Sequence, residues 1–246
     1  MRYLFLVLVL IPFFVFPTLA QSQSLRELQF ACAVFPPFNT DNKEEPGITQ
    51  EVLAAALKTV NRSVKFHTFP FKRALEITKY GKVDALCGCS YTAERENSFH
   101  YSDMLGILHQ GIFVSSNYSG KKIRTLKDLG DIQVGTVRGY ATERELEKLG
   151  MKVMSFVDSK QLALMLLTGR IDAIYAYKNV ILYELKKLNS KTKFAYYNLS
   201  SQPYYTCISK AITNPYALLR DLNQGLRVVR SNGIYQGIWN KYSSQE

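Results

Sequence analysis

A six-residue pattern occurs twice in the chain, as Gly81-Lys82-Val83-Asp84-Ala85-Leu86 and as Gly169-Arg170-Ile171-Asp172-Ala173-Ile174. Each copy follows a stretch with helical apolar spacing: FKRALEITKY before the first, and SKQLALMLLT before the second, where Leu162, Met165 and Leu166 fall at i, i+3 and i+4. A glycine at that point stops a helix, because it takes the left-handed conformation without a Cβ penalty. The apolar residues behind it begin a buried strand. A helix-to-strand unit present in two places predicts two lobes of similar α/β build.

The rest of the pattern fills in both lobes. In the first, residues 28–35 read as a strand closed by Pro36 and Pro37, 50–60 as a helix with the stripe Leu53, Ala56, Leu57 and Val60, and 63–69 as a second strand. Residues 106–116 read as a strand crossing to the second lobe, where 132–137 form a strand and 141–150 a helix. Residues 204–210 read as a returning strand, and 216–242 as one long and one short terminal helix. Alternation of this kind predicts an α/β fold with mainly parallel sheets.

In open sheets of this class ligands sit beyond the carboxyl ends of the strands. That places Gly88, Ser90, Thr92 and Arg95 at a site on the first lobe, with Tyr175 and Tyr177 facing them across a cleft. Other readings of the same residues stay open. Arg95 can pair with Glu94 or Glu96 on the surface, and Lys72 and Arg73 can be a solvated helix stripe. Tyr175 and Tyr177 alternate with Ile174 and Ala176 and can belong to the core instead of the cleft. Asp84 and Asp172 recur at matching turns, which suits capping and turn hydrogen bonds better than catalysis.

The N-terminus bears on compartment. Arg2 precedes an apolar run from Leu4 to Phe16 and then Pro17-Thr18-Leu19-Ala20, so residues 1–20 read as a cleaved signal peptide and the mature protein as periplasmic. The formal net charge of +11 is spread along the chain and reads as a mostly solvated surface that favours anionic ligands or the membrane surface, while the export signal argues against nucleic acid as a partner. Cys87 and Cys89 lack the paired histidine spacing of a zinc site, so no metal or other cofactor is expected. In an exported chain the four cysteines, Cys32, Cys87, Cys89 and Cys207, favour disulfides, and they allow three fully paired connectivities.

Taken in order, several segments resemble the bacterial extracellular solute-binding proteins of family 3, the periplasmic binding proteins that serve ABC importers of polar amino acids. The matching segments are Phe35-Pro36-Pro37-Phe38, Gly47, the turn at 81–84, Thr92-Ala93-Glu94-Arg95, Tyr101-Ser102-Asp103, TLKDLGDIQVGTVRG at 125–139, LLTGRIDA at 166–173, Lys210, and SNGIYQGIWNKY at 231–242. The resemblance implies a type II periplasmic-binding-protein fold joined by two crossing strands, with lobe 1 from 21–112 and 199–246 and lobe 2 from 113–198. It implies a monomer that captures a small carboxylate-bearing solute, an amino acid or related organic acid, by lobe closure, for an ABC permease or a membrane sensor. A periplasmic enzyme of the cyclohexadienyl dehydratase type and a ligand-dependent adaptor for a membrane protein are the alternatives.

The resemblance also assigns roles. Arg95 matches the arginine that clamps the ligand carboxylate, which suits the planar fork of a guanidinium. Ser90 matches a second donor to that carboxylate, Phe35 matches an aromatic that stacks on the ligand, and Phe71 and Arg73 fall on a stretch that lines the pocket. On the second lobe the pattern departs: Tyr177 stands where amino-acid binders carry an acidic residue for the ammonium group, and Tyr140 and Ala141 replace a Thr-Thr pair. In the family fold the strands carrying Cys87 and Cys207 run close together, which implies a bond from Cys207 to Cys87 or Cys89 and leaves Cys32 as a free, buried residue.

Overall fold

A computed structural model describes residues 26–115, 118, 120, 122–192 and 194–243. The predicted signal peptide, 1–20, and residue 116 of the expected 106–116 strand lie outside the described residues. The chain opens with β1 (Leu28–Cys32), α1 (Ile48–Lys58), β2 (Val64–Thr68), α2 (Phe71–Lys79), β3 (Ala85–Ser90), α3 (Ala93–Glu96), β4 (Phe99–Tyr101) and β5 (Gly106–Val114). It continues with β6 (Val134–Val137), α4 (Ala141–Lys148), β7 (Val153–Phe156), α5 (Ser159–Leu167), β8 (Ala173–Tyr177) and α6 (Lys178–Lys187). A long strand, β9 (Ala195–Ser209), leads to α7 (Pro215–Ser231) and α8 (Ile234–Ser243).

Both copies of the repeated pattern do what their residues predict. Gly81 and Gly169 take φ values of 67° and 65° after α2 and α5, and β3 and β8 follow. The two aspartates differ. Asp84 is buried and accepts from the Gln29 N–H at 2.7 Å, tying β1 to the turn, whereas Asp172 is exposed.

The strands run in the order β2-β1-β3-β9-β5-β8-β6-β7, with β4 also on β9. The flanks are parallel: β1 with β2 and β3, and β6 with β7 and β8. The middle is antiparallel, because β5 and β9 pair with each other and each meets the neighbouring lobe's strand, β8 and β3. The result is two α/β lobes hung on one pair of crossing strands.

β9 corrects the returning strand expected at 204–210, since it starts at Ala195. Its first part contains Asn198, Ser200, Ser201, Gln202 and Pro203, a polar run with a residue that cannot donate to the ladder. Pairing along most of β5 overrides that composition.

The first lobe packs around Phe30, Leu53, Leu57, Leu86 and Phe99, all almost fully buried. A separate cluster in the second lobe contains Ile112, Val134, Leu146, Ala173 and Tyr175. All four cysteines are paired, Cys32 with Cys87 and Cys89 with Cys207. Cys207 bonds one of its two expected partners, but Cys32 is not free. The register Phe30↔Ala85 and Ala31↔Leu86 puts Cys32 beside Cys87, with Cα atoms 4.9 Å apart, within ordinary disulfide reach.

Candidate ligand-binding site

β3 delivers Ser90 to the interface between the lobes, and the short turn behind it aims Arg95 back toward the strand. Thr92 sets that geometry by capping α3, its Oγ1 accepting from the Arg95 N–H at 3.2 Å. The Arg95 side chain is 3% exposed. Its Nη1 donates to the Ser90 carbonyl at 2.9 Å and its Nη2 to the Gly139 carbonyl of the second lobe, also at 2.9 Å. Its Nε has no partner among the described residues.

Neither neighbouring glutamate takes Arg95. Glu94 forms an ion pair with Arg144 across the interface, and Glu96 accepts from the Tyr91 hydroxyl at 2.7 Å. The guanidinium is thus buried against carbonyl dipoles and the Phe71 ring, 5.3 Å from its centroid. Burial pulls its pKa below the ordinary value, with Tyr177 opposing.

The second lobe meets it with aromatic rings. The Tyr177 hydroxyl lies 3.0 Å from Ser90 Oγ. Phe35 stands edge-on to Tyr177 at 5.3 Å and to Tyr140 at 5.9 Å, and Tyr140 is edge-on to Phe71 at 4.8 Å. Burial raises both tyrosine pKa values, so both phenols are neutral hydrogen-bonding groups. Gly139 permits this approach: its φ is 82°, and a Cβ there would sit 3.3 Å from the Lys72 Cα of the facing lobe.

Phe35, Phe71, Arg95, Tyr140 and Tyr177 line a cavity of about 30 Å³, bounded also by Asn39, Gly88, Cys89, Leu108, Ala141 and Tyr204. That is room for on the order of two waters, so a larger solute needs the rings to move. Asn39, Leu108 and Tyr204 were not predicted. Asn39 comes to the site through the turn in which its N–H donates to the Phe35 carbonyl at 2.9 Å, and its buried Oδ1 has no partner among the described residues.

Ser90 and Thr92 stand just behind this wall, Ser90 against the Tyr177 hydroxyl and Thr92 at the cap of the Arg95 turn, and neither lines the cavity. Two further predicted residues lie elsewhere. Arg73 is exposed on α2, its guanidinium 5.4 Å from the Phe69 centroid, and does not line this cavity. Tyr175 faces the second-lobe core, where its hydroxyl donates to Glu145 Oε2 at 2.6 Å, so of the two tyrosines on β8 only Tyr177 reaches the cleft.

The family model of the bacterial extracellular solute-binding proteins, family 3, matches residues 30–245. The chain belongs to that family. It is an extracellular solute-binding protein. A curated relative, the arginine-binding periplasmic protein of Mannheimia haemolytica, is 24% identical, with 85% of this chain and 87% of the relative covered. Among solved structures, an ancestral arginine-binding protein bound to arginine superposes with a TM-score of 0.77 at 25% identity, covering 88% of this chain and 97% of that one. A histidine kinase sensor domain with similarity to periplasmic binding proteins reaches 0.81 at 18% identity, over 88% and 96% of the two chains, a likeness of fold alone.

Proposed function

We propose that this binding protein captures a small solute through its carboxylate, clamped by Arg95 and Ser90, and retains it by closure of the second lobe over it. The observation that carries the reading is a buried arginine, 3% exposed, whose guanidinium partners are neutral carbonyls, because a buried cation gains most from an anion. The relatives named for arginine favour an amino acid as the solute. Tyr177, where an ammonium-binding carboxylate is expected, leaves Asn39 Oδ1 and the faces of Phe35, Tyr140 and Tyr177 to receive an amine.

Lobe 1 then comprises 21–112 and 199–246 and lobe 2 comprises 113–198, released into the periplasm after removal of residues 1–20. The monomer delivers its solute to an ABC permease or presents it to a membrane sensor. We favour binding without turnover, since no Asp or Glu among the described residues lines the cavity with Arg95 to act as an acid or base.

The test is thermal unfolding of the mature protein with amino acids, amine-free carboxylic acids and the matching carboxamides, and a turnover assay with prephenate beside it. A carboxylate at a hundred times its dissociation constant adds about 2.7 kcal/mol, and its carboxamide adds far less. Equal shifts from acid and amide overturn the carboxylate clamp, and turnover of prephenate overturns the binding-only reading.

A further inference from the structure

Beyond Tyr140 lies a second, much larger cavity between the lobes, of about 610 Å³, within the range of small-molecule sites. Phe71 and Tyr140 line both cavities, so these two rings form the partition between them. Phe69 and Tyr183 add aromatic surface, and the charged groups Asp41, Asp158, Lys160 and Lys187 are all exposed at its edges. Glu184 is different: it lines the cavity and is 5% exposed.

We propose that Glu184 is a cation-binding residue, and that this cavity is a second compartment for the amine-bearing or guanidinium-bearing tail of a solute whose carboxylate is held at Arg95. The inference rests on the Arg95 reading for the other end of the solute. Glu184 sits on α6, and it accepts a long hydrogen bond from a neutral group, Ser159 Oγ at 3.3 Å to Oε1. A carboxylate so placed has lost water without gaining an ion pair among the described residues, and a cation entering the cavity restores the balance. Desolvation accordingly raises its pKa, against smaller opposing effects of Ser159 and Lys187. Lys187 does not neutralise it directly: its ammonium lies 5.1 Å from the Tyr183 centroid, at the exposed edge of α6. Asp158 is similarly engaged, capping α5 by accepting from the Gln161 N–H at 2.8 Å. The aromatic partition suits such a ligand, because ring faces attract an alkylammonium or guanidinium passing between them. The two compartments meet at the wall that Phe71 and Tyr140 share.

The experiment is calorimetric titration of the wild type and of Glu184→Gln with L-lysine, L-norleucine and L-lysinamide. L-Lysine and L-norleucine differ in the tail cation, and L-lysine and its amide differ in the carboxylate. Glutamine keeps the volume and can still accept from Ser159, so the fold is retained. The expected result is that wild type binds L-lysine at least about tenfold tighter than L-norleucine, and that Glu184→Gln brings the two within about threefold by weakening L-lysine alone. Equal affinity for L-lysine and L-norleucine in the wild type, binding of L-norleucine but not of L-lysine, or unchanged selectivity in Glu184→Gln overturns the assignment of Glu184. Loss of preference for L-lysine over L-lysinamide instead strikes at Arg95, so the two readings fail separately.

Discussion

Replacing Arg95 by alanine is expected to weaken carboxylate binding by about 2–5 kcal/mol, the cost of removing one partner of a buried, hydrogen-bonded charge pair. The direction of the stability change is less one-sided. The substitution strips two carbonyls, of Ser90 and Gly139, of a donor, which costs. It also removes a buried cation whose charged neighbours, Glu94 and Arg144, act on it in opposite directions. The melting temperature of the ligand-free protein should therefore move far less than the affinity does. Titration calorimetry and ligand-free thermal unfolding of the same variant separate the two, and carboxylate affinity within about threefold of wild type overturns the clamp.

The second large effect is expected from the disulfides. The double substitution Cys89→Ala, Cys207→Ala opens a cross-link between residues 118 apart in sequence and should cost about 2–5 kcal/mol, read from the urea midpoint under oxidising conditions. Affinity should fall as well. Cys89 lines the small cavity and precedes Ser90, and β3 pairs there with β9 in the register Cys89↔Tyr205 and Ser90↔Tyr204. Tyr204 also lines that cavity, and its hydroxyl lies 3.1 Å from the Thr49 hydroxyl of α1. Loosening this strand pair loosens the walls that Cys89 and Tyr204 supply, and with them Ser90. An unchanged midpoint shows that the sheet alone holds β3 and β9 in place.

The lobes were legible because their signals are local. A helix stripe, a left-handed glycine and an apolar strand lie within about twenty residues in each copy of the repeat, and the turn carrying Arg95 follows directly from the first. Burial depth was not legible in the same way. Tyr175 and Tyr177 share one side of β8, and alternation treats them alike, but Tyr177 ends the strand at the cleft while Tyr175 lies beneath Glu145 of α4. Cys32 and Cys87 became partners through parallel register, which no short window of sequence contains. Asn39, Tyr204 and Glu184 reach the cleft only through tertiary packing, and none stands in a pattern that singles it out. Glu184 in particular falls on a helix with lysines on either side, a context that reads as solvated surface.

The crossing strands have a mechanical consequence for the lobe closure proposed above. Tyr177 is in register with Gln110 on β5, and β5 is in turn laced to β9, so the Ser90–Tyr177 contact lies close to the line about which the lobes would turn. Glu94 and Arg144 belong to α3 and α4, away from those strands. For a given rotation, displacement grows with distance from the axle, so the ion pair at the rim parts while the hydroxyl contact is still nearly intact. The Glu94–Arg144 pair is thus the part of the interface most sensitive to the angle between the lobes.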